Sequence, residues 1–136
     1  MANIIKQLMD SDGNNIYPVT YMPSLPIGVT LLWTNPNPTS SFVAQDIALD
    51  LSDYAFVLVY CSVSTTSTGL SGEIAIPGID DFTFRVSCNP QNNNYNNSRE
   101  FSVTTTAVSF GVCKYNNNTD NTRCIPQFIY GIKLGV

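Results

Sequence analysis

The sequence predicts an all-β protein: an antiparallel β-sandwich or jelly-roll-like fold of about eight short strands, preceded by an extended N-terminal arm. Short apolar runs alternate with polar residues at a period of two, which is typical of strands with one buried face. Turn-forming residues separate these runs at close intervals, and no stretch has helical periodicity. Only 12% of the 136 residues are charged, which argues against disorder. Because successive strands carry apolar faces, a second sheet is needed to cover the first.

Residues 1–26 are expected to form an arm and linker, and residues 27–136 the sandwich domain. Within the arm, the segment 10–15 reads DSDGNN and predicts the tight turn of a hairpin. The same segment resembles the front of a calcium loop, but the acidic residue that should close such a loop is missing. The apolar residues of the arm, expected to dock on another subunit, are Ile4, Ile5, Leu8, Ile16, Tyr17 and Val19.

The central pair of strands spans residues 42–63. Its first half alternates apolar and polar residues up to Leu51, after which Ser52 and Asp53 form a turn. The second half, residues 54–61, is apolar or aromatic on both faces. This pattern predicts a strand that is covered on both sides.

Six further strands complete the predicted sandwich. They are expected at 27–33, 73–76, 82–88, 101–105, 108–113 and 125–134. Pro126 places the start of the last strand at a sheet edge or a bulge, because proline lacks the amide hydrogen that a ladder requires. The loops at 34–41, 64–72, 89–98 and 116–122 are rich in Asn, Thr and Ser and are expected to form the exposed surface.

Charge and hydropathy exclude several classes of partner. The net charge is −4 and the few basic residues are scattered, so no footprint for nucleic acid is expected. The opening residues lack the apolar core of a signal peptide, and no run of about 18 apolar residues follows. We therefore expect a chain made in the cytoplasm, without insertion into a membrane.

The four cysteines, Cys61, Cys88, Cys113 and Cys124, do not form a CxxC pair, and the chain has no histidine. A zinc site is therefore not expected, and neither is any other cofactor. Cys113 and Cys124 flank a polar loop and could form a disulfide across a hairpin. The preferred interpretation is four thiols that behave as small apolar residues.

The catalytic chemistry available to the chain is limited. Without histidine, a Ser–His or Cys–His pair is excluded. Four carboxylates could in principle hydrolyse a glycosidic bond, but nothing in their spacing selects a pair. They are Glu73, Asp80, Asp81 and Glu100. Asp80 and Asp81 follow a Pro-Gly pair and are more simply explained as a turn. No phosphate-binding glycine loop is present, and the protein is expected not to be an enzyme.

Tyrosines set among asparagines mark the candidate recognition loops. Amide and hydroxyl groups beside an aromatic ring could bind sugars or a protein surface. The candidate binding residues are Asn93, Tyr95, Asn97, Tyr115 and Asn117. The alternative, favoured for any single loop, is a solvated segment whose aromatic ring packs back on the sheet.

Several stretches resemble segments of tailed-bacteriophage and prophage structural proteins. Residues 31–60 contain the motif L-W-T-N-x-x-P-T-x-x-F-x-x-Q, which is followed by D-L-S-x-Y. Residues 6–20 are similar to the opening of tail, baseplate and fibre proteins, which reads L-x-D-x-D-G-N-x-I-Y-P-V-T. The stretch 125–133, IPQFIYGIK, and the segment 98–101, SREF, resemble the closing strands of such modules. The resemblance covers about half of the chain.

The resemblance implies a virion structural protein that is made in the bacterial host cytoplasm. Its expected role is that of a tail, baseplate or fibre appendage, with host-surface attachment to a receptor or polysaccharide. Such proteins are commonly homotrimers with an N-terminal docking segment, so a trimer and contacts with other virion proteins are expected. The alternatives are a decoration or assembly protein without receptor contact and, less favoured, a carbohydrate depolymerase.

Overall fold

The computed structural model describes residues 8–9, 11–12, 15–16, 26–88 and 96–135. Strands β1 (Leu8–Met9) and β2 (Asn15–Ile16) form an antiparallel pair, with Leu8 opposite Ile16. This pairing agrees with the hairpin that the turn-rich segment predicts. The other four predicted docking residues, Ile4, Ile5, Tyr17 and Val19, lie outside the described residues.

Nine more strands form two antiparallel sheets in the described part of the chain, which confirms the predicted all-β sandwich. They are β3 (Ile27–Thr34), β4 (Gln45–Ala48), β5 (Phe56–Ser64), β6 (Leu70–Ala75), β7 (Phe84–Ser87), β8 (Asn97–Val103), β9 (Ala107–Tyr115), β10 (Asn118–Thr119) and β11 (Arg123–Leu134). The four-stranded sheet has the order β3-β11-β5-β6. In the five-stranded sheet β7, β8 and β9 are neighbours, and β4 and β10 both pair with β9. No helix of the described residues is long and apolar enough to cross a membrane.

The core lies between the two sheets and is built from alternate residues of each strand. In β5 the inward residues Val57, Val59 and Cys61 have no exposed surface, as the period of two requires. The other sheet contributes Val86, Phe101, Val103, Val108, Phe110 and Cys113 to the same cluster. The two inner faces therefore cover each other, as expected of a sandwich.

Two details differ from the sequence-based expectation. The outward residues of β5 are only half-buried, so this strand is covered on one face by the described chain and not on two. Residues 70–72 and 97–98 belong to strands β6 and β8, where loops were expected. Pro126 agrees with the prediction of a sheet edge or a bulge, because it lies next to a register shift against β5 and the pairing of β11 with β3 begins only at Phe128.

One charged side chain, that of Arg99 in β8, is fully buried between the sheets. Its Nε donates a hydrogen bond to the carbonyl of Cys124 at 2.7 Å, and its Nη1 donates to the carbonyl of Gly111 at 2.6 Å. Nη2 donates to the carbonyl of Arg123 at 3.3 Å, and the guanidinium lies 5.3 Å from the ring centre of Phe42. Arg99 therefore connects β8 and β9 of one sheet to β11 of the other.

Replacing Arg99 by Met should lower the free energy of unfolding by roughly 2–4 kcal/mol, because buried carbonyls would lose their donors. Arg85→Met is the matched control. The Arg85 side chain is 58% exposed and pairs with Glu100 at the surface, so its loss should cost about 1 kcal/mol or less. Chemical denaturation of both variants measures the difference. Equal losses in the free energy of unfolding would show that the buried guanidinium contributes no more to stability than the exposed one.

Candidate functional site

The structure separates the predicted recognition residues. Asn93 and Tyr95 lie outside the described residues. Asn97 is the first residue of β8 and has no exposed surface, so it does not belong to an exposed loop. Tyr115, at the end of β9, is half-buried, and the Arg123 guanidinium lies 4.1 Å from its ring centre. Asn117 is the one exposed residue of the three that the structure describes.

A two-residue turn explains the asparagines that follow β9. Asn116 and Asn117 have positive φ values of 46° and 68°, and Tyr115 pairs with Asn118 on either side of them. Two consecutive positive φ angles are what a type I′ hairpin requires, and asparagine tolerates them better than most residues. Hydrogen bonds of 3.3 Å also join the backbone and side chain of Asn116 to the backbone of Asn96. These asparagines thus have a structural role that composition alone did not reveal.

The outward side of the five-stranded sheet is polar, and we call it the polar face. It carries Asp46, Arg85, Ser87, Ser98, Glu100, Ser102, Ser109 and Lys114. A depression of about 540 Å³ lies on this face, and we call it the polar depression. It is lined by Arg85, Asn96, Ser98, Glu100, Gly111, Val112, Lys114, Asn116 and Asn117. Three strands and the asparagine turn thus present charged, hydroxyl and amide groups at one place.

The charged side chains that line the polar depression already form an ion pair or a hydrogen bond with other side chains. Arg85 and Glu100 are cross-strand partners on β7 and β8 and form an ion pair. Lys114 Nζ donates to the hydroxyl of Thr119 at 3.3 Å. Because these contacts are exposed, a ligand could replace them at small cost. The arrangement is suited to hydrogen bonding with a hydroxyl-rich ligand.

The four carboxylates considered for glycoside hydrolysis do not share one site. Glu100 lies in the polar depression beside Arg85, whereas Asp80 and Asp81 border a separate depression of about 720 Å³. Asp81 has a φ of 60° and belongs to a turn, and Glu73 lies in β6 of the other sheet. Among the described residues no group of three or more His, Cys, Asp or Glu could hold a metal ion.

The outward side of the four-stranded sheet is apolar, and we call it the apolar face. Its residues are Ile27, Val29, Leu31, Phe56, Leu58, Tyr60, Leu70, Ile74, Phe128, Tyr130, Ile132 and Leu134. One row crosses all four strands, since Leu31 is opposite Tyr130, Tyr130 opposite Leu58, and Leu58 opposite Ile74. Leu31 and Ile74 remain 50% and 54% exposed. None of the residues of this face carries a formal charge.

The aromatic rings of the apolar face pack against each other and leave a shallow groove. The rings of Tyr60 and Tyr130 meet edge to face, with centres 6.0 Å apart. Tyr60 also covers Gly72, where an added Cβ would lie only 2.9 Å from the ring. The groove has a volume of about 400 Å³ and is lined by Val29, Leu58, Tyr60, Leu70, Phe128 and Tyr130. Exposed apolar patches of this kind mark interaction surfaces in soluble proteins.

No protein-family model matches the chain, and neither the curated proteins nor the solved structures give a significant match.

Asn117→Gly should keep or slightly raise the melting temperature, because glycine adopts a positive φ without steric cost. Asn117→Val should lower the stability by about 1–2 kcal/mol, since a β-branched residue is strained at this position. Thermal unfolding followed by circular dichroism compares the two variants. If valine is tolerated as well as glycine, the turn does not depend on asparagine.

Proposed function

We propose that this protein is a non-enzymatic structural subunit of a bacteriophage virion, a tail, baseplate or fibre appendage that also attaches to the host surface. The proposal is supported by the contrast between the two outer faces of the sandwich. One is largely apolar over four strands, and the other is largely polar and contains a depression lined mainly by amides, hydroxyls and charges. A subunit that contacts its neighbours through one face and the host surface through the other needs one apolar and one polar face.

Copies of this chain are the proposed occupant of the apolar face. With strands about 4.8 Å apart and a rise of about 3.3 Å per residue, the face covers roughly 450 Å² in projection. An assembly that buries this face removes about 450 Å² from each copy, close to the roughly 500 Å² per partner that a specific interface needs. Homo-oligomer interfaces are more apolar than transient ones. The absence of charge on this face lets two chains of net charge −4 approach without direct repulsion.

The polar depression is the proposed contact with a host-surface polysaccharide. Sugars offer many hydroxyl groups, which the exposed amides and charged groups of this depression can bind. A single shallow site binds weakly, but several sites in one symmetric assembly act together through multivalency. The homotrimer implied by the family resemblance would present three copies on one particle.

A decoration protein without receptor contact is the second candidate. It is favoured by the structural use of the predicted recognition residues, because Asn97 is buried and Asn117 forms a turn. Assembly through the apolar face is common to both candidates. Binding of a polysaccharide distinguishes them.

The protein should be an oligomer, with a trimer favoured, when size-exclusion chromatography is combined with light scattering. The double variant Leu31→Lys, Ile74→Lys should be a monomer with an unchanged fold, because both side chains are exposed and charge would have to be desolvated at the interface. Val43→Lys is the matched control, since Val43 is 57% exposed but lies outside the apolar face. A wild-type monomer at high concentration would contradict the proposed assembly.

The assembled wild-type protein should bind host-surface polysaccharides on a glycan array. Combining Asn117→Gly with Lys114→Ala should weaken this binding by roughly tenfold, about 1.4 kcal/mol, because ligand-facing groups are lost while the turn is kept. Thr68→Ala, an exposed change in the loop between β5 and β6, should leave binding intact. An assembled oligomer that binds no glycan would favour the decoration protein.

A further inference from the structure

The four cysteines meet in the core, although they are far apart in sequence. Cys61 in β5 and Cys124 in β11 come from the four-stranded sheet, whereas Cys113 in β9 and Cys88, directly after β7, come from the other sheet. All four are free thiols with no exposed surface. The two sheets thus place their thiols against each other at one end of the core.

One pair of sulfur atoms is in much closer contact than ordinary packing requires. The Sγ atoms of Cys88 and Cys124 are 2.7 Å apart, although the two residues are 36 positions apart in the chain. This separation is closer to the roughly 2.05 Å of a disulfide bond than unbonded sulfur atoms normally approach. Cys113 directs its own Sγ toward the carbonyl of Lys114, at 3.8 Å. The sulfur of Cys124 thus lies against that of Cys88, and its thiol also interacts with that of Cys113, the hairpin partner that the sequence left open.

We propose that Cys88 and Cys124 are an oxidation site and form a disulfide between the two sheets when a small peroxide reaches them. The pair is held in bonding range by the fold before any oxidation occurs, since each cysteine belongs to or directly follows a strand of a different sheet. A molecule such as hydrogen peroxide is small enough to reach the core through a brief local opening.

Hydrogen bonds from neighbouring thiols, with a smaller contribution from the buried guanidinium of Arg99, favour ionisation of Cys88. No carboxylate of the described residues pairs with this buried guanidinium, and its hydrogen bonds go to carbonyl groups. Hydrogen bonds from the thiols of Cys124 and Cys61 lower the pKa of Cys88, and the charge of Arg99 lowers it further. Hydrogen bonds with Cys113, Cys61 and Cys88 raise the pKa of Cys124, so that it remains a thiol. Cys88 is therefore the nucleophile, because the thiolate is the reactive form.

The reaction balances with one peroxide molecule per disulfide. The Cys88 thiolate attacks one oxygen of hydrogen peroxide, the O–O bond breaks, and a sulfenic acid and hydroxide form. The sulfur of Cys124 then attacks the sulfur of Cys88, and the S–O bond breaks as the S–S bond forms. The thiol proton of Cys124 and the departing hydroxyl group leave as water. Two thiols are oxidised and one peroxide is reduced to two molecules of water.

The experiment treats the folded full-length protein with hydrogen peroxide after purification under reducing conditions. Intact mass should fall by two hydrogens, and peptide mapping without reductant should find Cys88 linked to Cys124, with Cys61 and Cys113 still free. The melting temperature should rise by roughly 10 °C relative to the reduced protein, because the bond closes a long loop. The same treatment in guanidinium is the control and should give mixed pairings.

Matched serine variants identify which cysteines form the disulfide. Cys113→Ser should still form the bond, whereas Cys88→Ser and Cys124→Ser should not. Because a serine in the core could impair folding, the decisive measurement is the peptide map of the wild-type protein. Any other pairing in the folded protein would overturn the proposal, as would four thiols that survive the peroxide or a Cys88 oxidised beyond the sulfenic acid.

Discussion

The burial of Arg99 is the constraint on which the packing of the two sheets depends. A guanidinium without surrounding water must have fixed acceptors, and here carbonyls from β9 and β11 provide them. The two sheets can therefore not slide past each other without leaving a buried charge unsolvated. The register shift in β8 and β9, between Arg99 and Phe101, lies directly beside these contacts. A single charged residue thus specifies the relative position of two largely apolar layers.

The same packing separates the surface into two chemically different sides. Since the core takes alternate residues from each strand, the remaining residues of each sheet must face outward. In the five-stranded sheet these residues are polar, whereas in the four-stranded sheet they are aliphatic and aromatic. A sandwich of this kind has one side that water solvates well and one that it does not. The proposed association through the apolar side rests on this difference in solvation.

The sequence predicted most strands well, and its errors have physical causes. The strand expected at 27–33 is β3, Ile27–Thr34, because its apolar composition is unambiguous. Asn97 and Ser98 were expected in a loop, since asparagine runs usually mark turns, but pairing with β9 overrides that preference. Burial of Arg99 could not be anticipated, because an arginine is almost always solvated and its carbonyl acceptors come from distant strands.

By itself the sequence determined the all-β class, the positions of the apolar strands and the lack of histidine chemistry. These properties depend on local alternation and on composition, which each segment carries independently of the others. Only the tertiary structure decided which strands are neighbours, that no described residue covers the outer side of β5, and that the sulfur of Cys124 lies against that of Cys88. Such contacts join residues far apart in the chain. They arise from the way the two sheets pack, which no local pattern encodes.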